Sequence, residues 1–169
     1  MTNYMYTTSV PVFKQLLNSL SNLLTKAESL CIEKKIEPKA LLDARLFPDM
    51  FPLFRQVQIA TDFATSVSAR LAEVDVPTNE NNEQTFSELQ ERITRALSFL
   101  DSLSSKQFEG SESLEIVLRP GTPKEKKLIG HTYLTNYGLP QFFFHVTTAY
   151  AILRHNGLDV GKGDFMGIY

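Results

Sequence analysis

The sequence lacks the residues and segments that define several classes of protein. Cys31 is the only cysteine, which excludes both an internal disulfide and a four-thiolate zinc site. No apolar run approaches the roughly 20 residues of a membrane-spanning helix, and residues 1–5 do not resemble a signal peptide. The net charge is −2, and no basic stripe is present to follow nucleic-acid phosphates. These absences predict a cytoplasmic protein that binds neither membranes nor nucleic acid.

What the sequence does contain is enough apolar material for one folded core. Of its 169 residues, 43% are hydrophobic and 21% are charged, which is ordinary for a globular protein. A chain of this size buries a core without disulfides or metals to support it. We therefore expect a single domain over residues 1–169.

Four segments carry apolar residues every three or four positions, which is typical of amphipathic helices. The first predicted helix begins after Ser9, a good N-cap, and runs for about 24 residues. The second covers residues 52–74. The third opens with the capping box Thr85 to Glu88 and extends to residue 103. The fourth follows Pro140 and ends at Asn156.

The segments between these helices are shorter or more polar. Residues 40–44 predict a single helical turn, and residues 75–84 predict a solvated loop. Apolar and polar residues alternate over residues 114–118, and with residues 126–129 they predict a β-hairpin. Residues 157–169 show no helical pattern and are predicted as a C-terminal tail. The sequence thus predicts an all-α, up-down four-helix bundle with a small β-hairpin between helices three and four.

The three histidines do not have the spacing of a metal site. His145 and His155 are ten residues apart on one predicted helix, which separates their backbones by about 15 Å. His131 precedes that helix, and no pair of histidines is spaced i, i+4. We therefore predict no metal site and no cofactor.

Three polar residues on the inner parts of the helices are candidates for ligand binding. His145 lies at the edge of an apolar face, about 100° from Val146 around the helix. It is either a core-edge histidine hydrogen-bonded to a neighbouring helix, or a polar anchor or acid/base in a pocket. Gln56 lies inside the stripe of the second helix and needs a partner, a water or a ligand. Tyr150, on the inner face of the fourth helix, is the third candidate.

One aromatic residue of the fourth helix is predicted to point outward. Phe144 falls beside Thr148, Ala151 and Ile152 on the predicted outer face, and together they would form an apolar strip on a monomer. This pattern predicts a homodimer through that face.

Two parts of the chain resemble a known family. The segment LPQFFFHVTTAYAILRHNG (residues 139–157), followed by GKGDF (161–165), is similar to a family of bacterial and fungal proteins. That family is classed as a domain of unknown function within the DinB/YfiT-like superfamily of four-helix bundles. FPLFRQVQ (51–58) and DFA (62–64) resemble the same family, and the resemblance covers essentially the whole chain.

The resemblance also implies a comparison with the metal site of the wider superfamily. Its members are often dimers that bind a divalent metal through three histidines, and some are thiol transferases. One histidine lies on the second helix and two are spaced i, i+4 on the fourth. His145 matches one of the latter, but the residue four on is Ala149 and the inward position of the second helix is Gln56. The resemblance therefore implies the scaffold and its pocket without the metal chemistry.

These observations favour a bundle that binds a small molecule in an inter-helix pocket without a catalytic metal. Two other functions stay open at this stage. One is an enzyme, either a divergent metal-dependent transferase or a metal-free acid/base catalyst that uses His145. The other is a structural or interaction module, and the sequence does not decide whether any catalysis occurs.

Overall fold

The computed structural model describes residues 3–169, and four long helices packed side by side make up most of it. These are α2 (Val10–Lys34), α4 (Leu53–Leu71), α5 (Phe86–Asp101) and α7 (Leu139–His155). α4 packs mainly against α5 and α7, and α2 packs against the same two helices. The predicted all-α four-helix bundle is confirmed.

Shorter elements connect and cover the long helices. They are α1 (Tyr4–Thr7), α3 (Pro38–Leu42), α6 (Gly130–Thr132) and α8 (Lys162–Met166), with 3-10 turns at Ser105–Phe108 and Ser111–Ser113. Within residues 3–169, no helix combines the length and the apolar character that crossing a bilayer would require.

The core is formed by the apolar stripes that define the long helices. Phe13 of α2 meets Phe142 of α7 edge to face, with ring centroids 4.8 Å apart, and both side chains are fully buried. Gly138, directly before α7, lets this part of the chain approach α4 closely. A Cβ at that position would come within 2.8 Å of the Val67 side chain. α4 and α7 are therefore held in close contact, and the candidate site lies between them.

The predicted capping box and hairpin are both present. The backbone N–H of Glu88 donates to Thr85 Oγ1 at 3.2 Å, and Glu88 Oε2 accepts from the Thr85 N–H at 2.9 Å. Strand β1 (Glu115–Leu118) pairs antiparallel with β2 (Lys126–Ile129). The buried side chains of Ile116 and Leu118 attach this small sheet to the bundle.

The entry to α7 begins earlier than the sequence pattern indicates. A π-helical turn over Tyr133–Gly138 follows α6 and runs into α7 without a break. Pro140 lies in the first turn of α7, where its missing N–H costs no hydrogen bond. The predicted start after Pro140 is therefore two residues late for α7 itself and eleven residues late for the helical segment as a whole.

The prediction that residues 157–169 lack a helix is wrong, because α8 forms within them and packs on α2. Asp164 Oδ2 accepts the backbone N–H of Gly161 at 2.8 Å and so caps the short helix. Asp164 also forms an ion pair with Lys26 of α2 at 2.6 Å. Gln15 Nε2 donates to the carbonyl oxygen of Met166 at 2.9 Å. These long-range contacts stabilise a helix that has no apolar period of its own.

The predicted apolar strip on the outside of α7 is wrong in most of its members. Phe144 is exposed, as expected, but Thr148 and Ile152 are buried and Ala151 is half-buried. The reason is that α7 packs against both α4 and α2. A larger part of its surface is therefore buried than in a helix with one buried and one exposed face.

Candidate functional site

Gln56 and His145, predicted separately from the sequence, are hydrogen-bonded to each other across the α4–α7 interface. Gln56 Oε1 lies 2.7 Å from His145 Nδ1, and Gln56 Nε2 donates to the carbonyl oxygen of Phe51 at 2.9 Å. The two side chains are 1% and 7% exposed, respectively. Both polar ends of the Gln56 amide therefore have partners within the protein.

This arrangement fixes which nitrogen of His145 carries the proton. The carbonyl oxygen of Phe51 only accepts, so the NH₂ of Gln56 points to it and Oε1 points to His145. Because Oε1 also only accepts, Nδ1 of His145 must be the donor. In a neutral imidazole the other nitrogen, Nε2, is then a bare hydrogen-bond acceptor.

The surroundings keep His145 neutral. Burial, followed by the positive charge of nearby Arg55, lowers the pKa of His145 from 6.5 to about 4. The imidazole is therefore uncharged at neutral pH. Arg55 itself donates to Gln58 Oε1 at 2.9 Å and lies over the Phe51 ring, 5.9 Å from its centroid.

Aromatic rings flank the imidazole. Phe63 of α4 stacks against His145, with centroids 6.0 Å apart and an angle of 14° between the planes. Phe144 approaches edge-on, with centroids 5.2 Å apart. Within residues 3–169 the hydroxyl of Ser68 is the one fully buried side-chain polar atom without a hydrogen-bond partner. Nε2 of His145, which has no partner there either, is therefore not sealed from solvent.

A cleft of about 250 Å³ opens beside this aromatic group. Its lining consists of Asn136, Tyr137, Pro140, Gln141 and Phe144. Tyr137 connects the cleft to the site, because its ring packs edge-on against Phe63 with centroids 5.8 Å apart. His145 does not itself line the cleft but contacts Phe144, one of the lining residues. The π-helical turn contributes Asn136 and Tyr137, and such turns are frequent at functional sites.

The structure places Tyr150 away from the other two candidates. It follows His145 by five residues, which rotates it about 140° around α7. Its ring packs edge-on against Phe165 of α8, with centroids 5.8 Å apart. Gln56 and His145 are thus brought together, whereas Tyr150 lies on the side of α7 that faces the C-terminal helix.

The residues present do not fit the three-histidine metal site of the wider superfamily. Gln56 is committed to His145 and Phe51, and Ala149 offers no ligand atom. His145 contributes one free nitrogen, which is a single ligand. In the part of the chain that the structure describes, no three His, Cys, Asp or Glu side chains come close enough to share an ion.

A second polar cluster, which sequence reasoning missed, lies between α4, α5 and the loop that joins them. Arg92 is 1% exposed and donates to Thr61 at 2.6 Å, to Glu83 at 2.9 Å and to Asp62 at 2.6 Å. Gln58 Nε2 donates to Glu83 Oε2 at 2.8 Å. Burial alone would raise the pKa of Glu83, but hydrogen bonds and charge from Arg92 outweigh it and hold the pKa below its usual value. The cluster fastens residues 75–84 to the bundle.

Residues 75–84 form a loop, as expected, and most of them are exposed or half-buried, but Glu83 within the loop is buried. The signal in the sequence was Arg92, three residues after Leu89 and four before Ala96 in the apolar stripe of α5. An arginine in such a stripe requires a buried acceptor, and Glu83 is that acceptor.

Comparison with known proteins agrees with this architecture. A family model described as domain of unknown function (DUF1993) matches residues 5–166. The crystal structure of a DinB family member protein from Shewanella denitrificans is 37% identical in sequence, with a TM-score of 0.91. The similarity covers 97% of this chain and 92% of that one. Among curated proteins, no match is found.

Proposed function

The chain belongs to the DUF1993 family of DinB-like helical bundles. We propose that it binds a small aromatic molecule beside His145. The observation that carries the proposal is the hydrogen bond from His145 Nδ1 to Gln56 Oε1 at 2.7 Å. This hydrogen bond occupies Nδ1 within the protein and leaves Nε2 as an acceptor. A ligand that donates a hydrogen bond satisfies that acceptor.

The side chains around His145 indicate the chemistry of the ligand. The rings of Phe63, Tyr137 and Phe144 favour an aromatic or flat apolar body. Arg55 lies close enough to lower the pKa of His145, so a cationic ligand is disfavoured. Phenols combine an aromatic ring with a neutral O–H donor, and we propose this class of ligand.

The proposed binding requires no catalytic metal, since His145 Nε2 acts as a hydrogen-bond acceptor. Calorimetric titration with phenol tests the proposal. His145→Asn is the matched variant, because the asparagine amide replaces the Nδ1 donor to Gln56 but has no counterpart of Nε2. We expect saturable binding to the wild-type protein and loss of binding to the variant. Equal binding to both proteins would refute the proposed site.

A homodimer through α7 is a second proposal, supported by the exposure of Phe144, which is 55% accessible. Phe144 also lines the cleft, so a second copy on this face would cover the open side of the ligand site.

A further inference from the structure

A larger cavity of about 420 Å³, open to solvent, lies on the other side of α7, next to the C-terminal helix. Its apolar lining comes from three helices and comprises Val12 and Leu16 of α2, Phe143 of α7, and Phe165 and Met166 of α8. Its polar lining consists of Gln15 and Thr147. Volume and composition are both those of a small-molecule site, with a mostly apolar wall and few polar groups.

This cavity is separate from the site at His145. Phe143 and Thr147 are one turn apart on α7 and face the cavity together. His145 lies two residues from each, about 200° around the helix. The two sites therefore flank α7 on opposite sides.

Specific contacts hold α8 in place beside the cavity. Gln15 Nε2 binds the carbonyl oxygen of Met166, and Lys26 pairs with Asp164. Gly167 follows α8 with φ +65° and lies directly against the side chain of Ser19, where a Cβ would clash. α8 is thus docked through its end residues while its apolar side chains face the cavity.

Two polar groups in the lining have unused hydrogen-bonding capacity. Thr148 donates to the carbonyl oxygen of Phe144 at 2.7 Å, whereas the hydroxyl of the adjacent Thr147, an exposed residue, is hydrogen-bonded to none of residues 3–169. The amide of Gln15 uses its NH₂ on Met166 and leaves Oε1 as an acceptor. None of the described side chains that line the cavity is charged.

We propose that this cavity binds an uncharged alcohol with an apolar chain. The chain would pack against Leu16, Phe143 and Phe165, and the hydroxyl would bond to Thr147 and Gln15. The lining offers no countercharge to a carboxylate or ammonium head group, so the neutral molecule is preferred. Tyr150 does not line the cavity, but its ring contacts Phe165 and would hold that residue of α8 in place.

The proposal is tested by titrating the full chain with 1-octanol, octanoate and octylamine while recording backbone amide NMR spectra. We expect saturable shifts for octanol at Gln15, Thr147 and Met166, and binding of the two charged analogues at least tenfold weaker. Thr147→Val replaces the hydroxyl with a methyl group of similar size and is expected to weaken octanol binding about three- to tenfold. Thr147→Trp fills the cavity from an exposed helix position and is expected to abolish binding.

Thr94→Val on α5 is the matched control, since Thr94 is also a helical threonine but its hydroxyl bonds to the Gln90 carbonyl oxygen. It is expected to bind octanol like the wild type. The proposal is overturned if octanol shifts cluster elsewhere or do not saturate, or if octanoate binds as tightly as octanol. Unchanged binding by Thr147→Trp, with a wild-type melting temperature, also overturns it.

Discussion

Gln56 Oε1 and His145 Nδ1 lie 2.7 Å apart and join α4 to α7 in a buried part of the bundle. The hydrogen bond divides the imidazole into two halves with different roles. Nδ1 has a structural role, because it is bonded to Gln56, which is itself held by the Phe51 carbonyl oxygen. Nε2, which has no such partner in residues 3–169, is the half available to a ligand.

Removing either partner of this pair is expected to destabilise the protein. His145→Leu or Gln56→Leu leaves a buried polar group unpaired, at a cost of about 1–3 kcal/mol in the free energy of unfolding. The double variant removes both polar groups and is expected to lose less than the sum of the single changes. Urea denaturation of the four proteins measures the coupling, and strictly additive losses would show that the two side chains do not interact.

Protonation of His145 is expected to make stability depend on pH. Its pKa is about 4 in the folded protein and about 6.5 in the unfolded chain. Between these values the unfolded state binds the additional proton, so stability falls as pH decreases from 6.5 to 4. The slope for one group is at most about 1.4 kcal/mol per pH unit. Urea denaturation from pH 7 to 4.5 should show this slope in the wild type and a reduced one in His145→Asn; identical slopes would argue against a buried neutral His145.

The Arg92 cluster is expected to contribute strongly to stability, because Arg92 neutralises buried Glu83. Arg92→Met leaves that carboxylate without its main partner, at a cost of about 3–5 kcal/mol. Arg95→Met is the control, since Arg95 lies 3.6 Å from the same carboxylate but its side chain is 58% exposed. Its expected cost is about 0–1 kcal/mol. Thermal melts compare the two variants, and similar losses would contradict the assignment of Arg92 as the anchor of residues 75–84.

The proposed homodimer is expected to depend on Phe144. Static light scattering of the wild-type protein should give about twice the chain mass, and Phe144→Asp should halve that value without unfolding. Phe47→Asp is the control, because Phe47 is also an exposed phenylalanine but lies in the loop before α4. A wild-type monomer at high concentration would rule the dimer out.

Much of the bundle was predictable, because helices held by apolar stripes show their period directly in the sequence. The stripes that include Phe13, Ile93 and Val146 place their residues in the core, as expected. The pairing of Gln56 with His145 was accessible only in part. The sequence indicates that each of these buried polar residues needs a hydrogen-bond partner. Their pairing with each other depends on the packing of α4 on α7, which no local pattern encodes.

The features that were not predicted depend on contacts between distant residues. Glu83 is buried because Arg92, on the next helix, neutralises it, and the polar composition of residues 75–84 gives no sign of this. Residues 162–166 form a helix because Lys26 and Gln15, on α2, bind it. In both cases tertiary contacts override the local sequence signal.

Imidazole ¹⁵N NMR during a phenol titration measures whether Nε2 of neutral His145 accepts a hydrogen bond from a ligand. His131→Gln and His155→Gln are introduced so that His145 gives the only imidazole signals. At pH 7 we expect a protonated Nδ1, an unprotonated Nε2, and an Nε2 resonance that shifts saturably as phenol is added. A protonated Nε2, or an Nε2 resonance that phenol does not move, would contradict it.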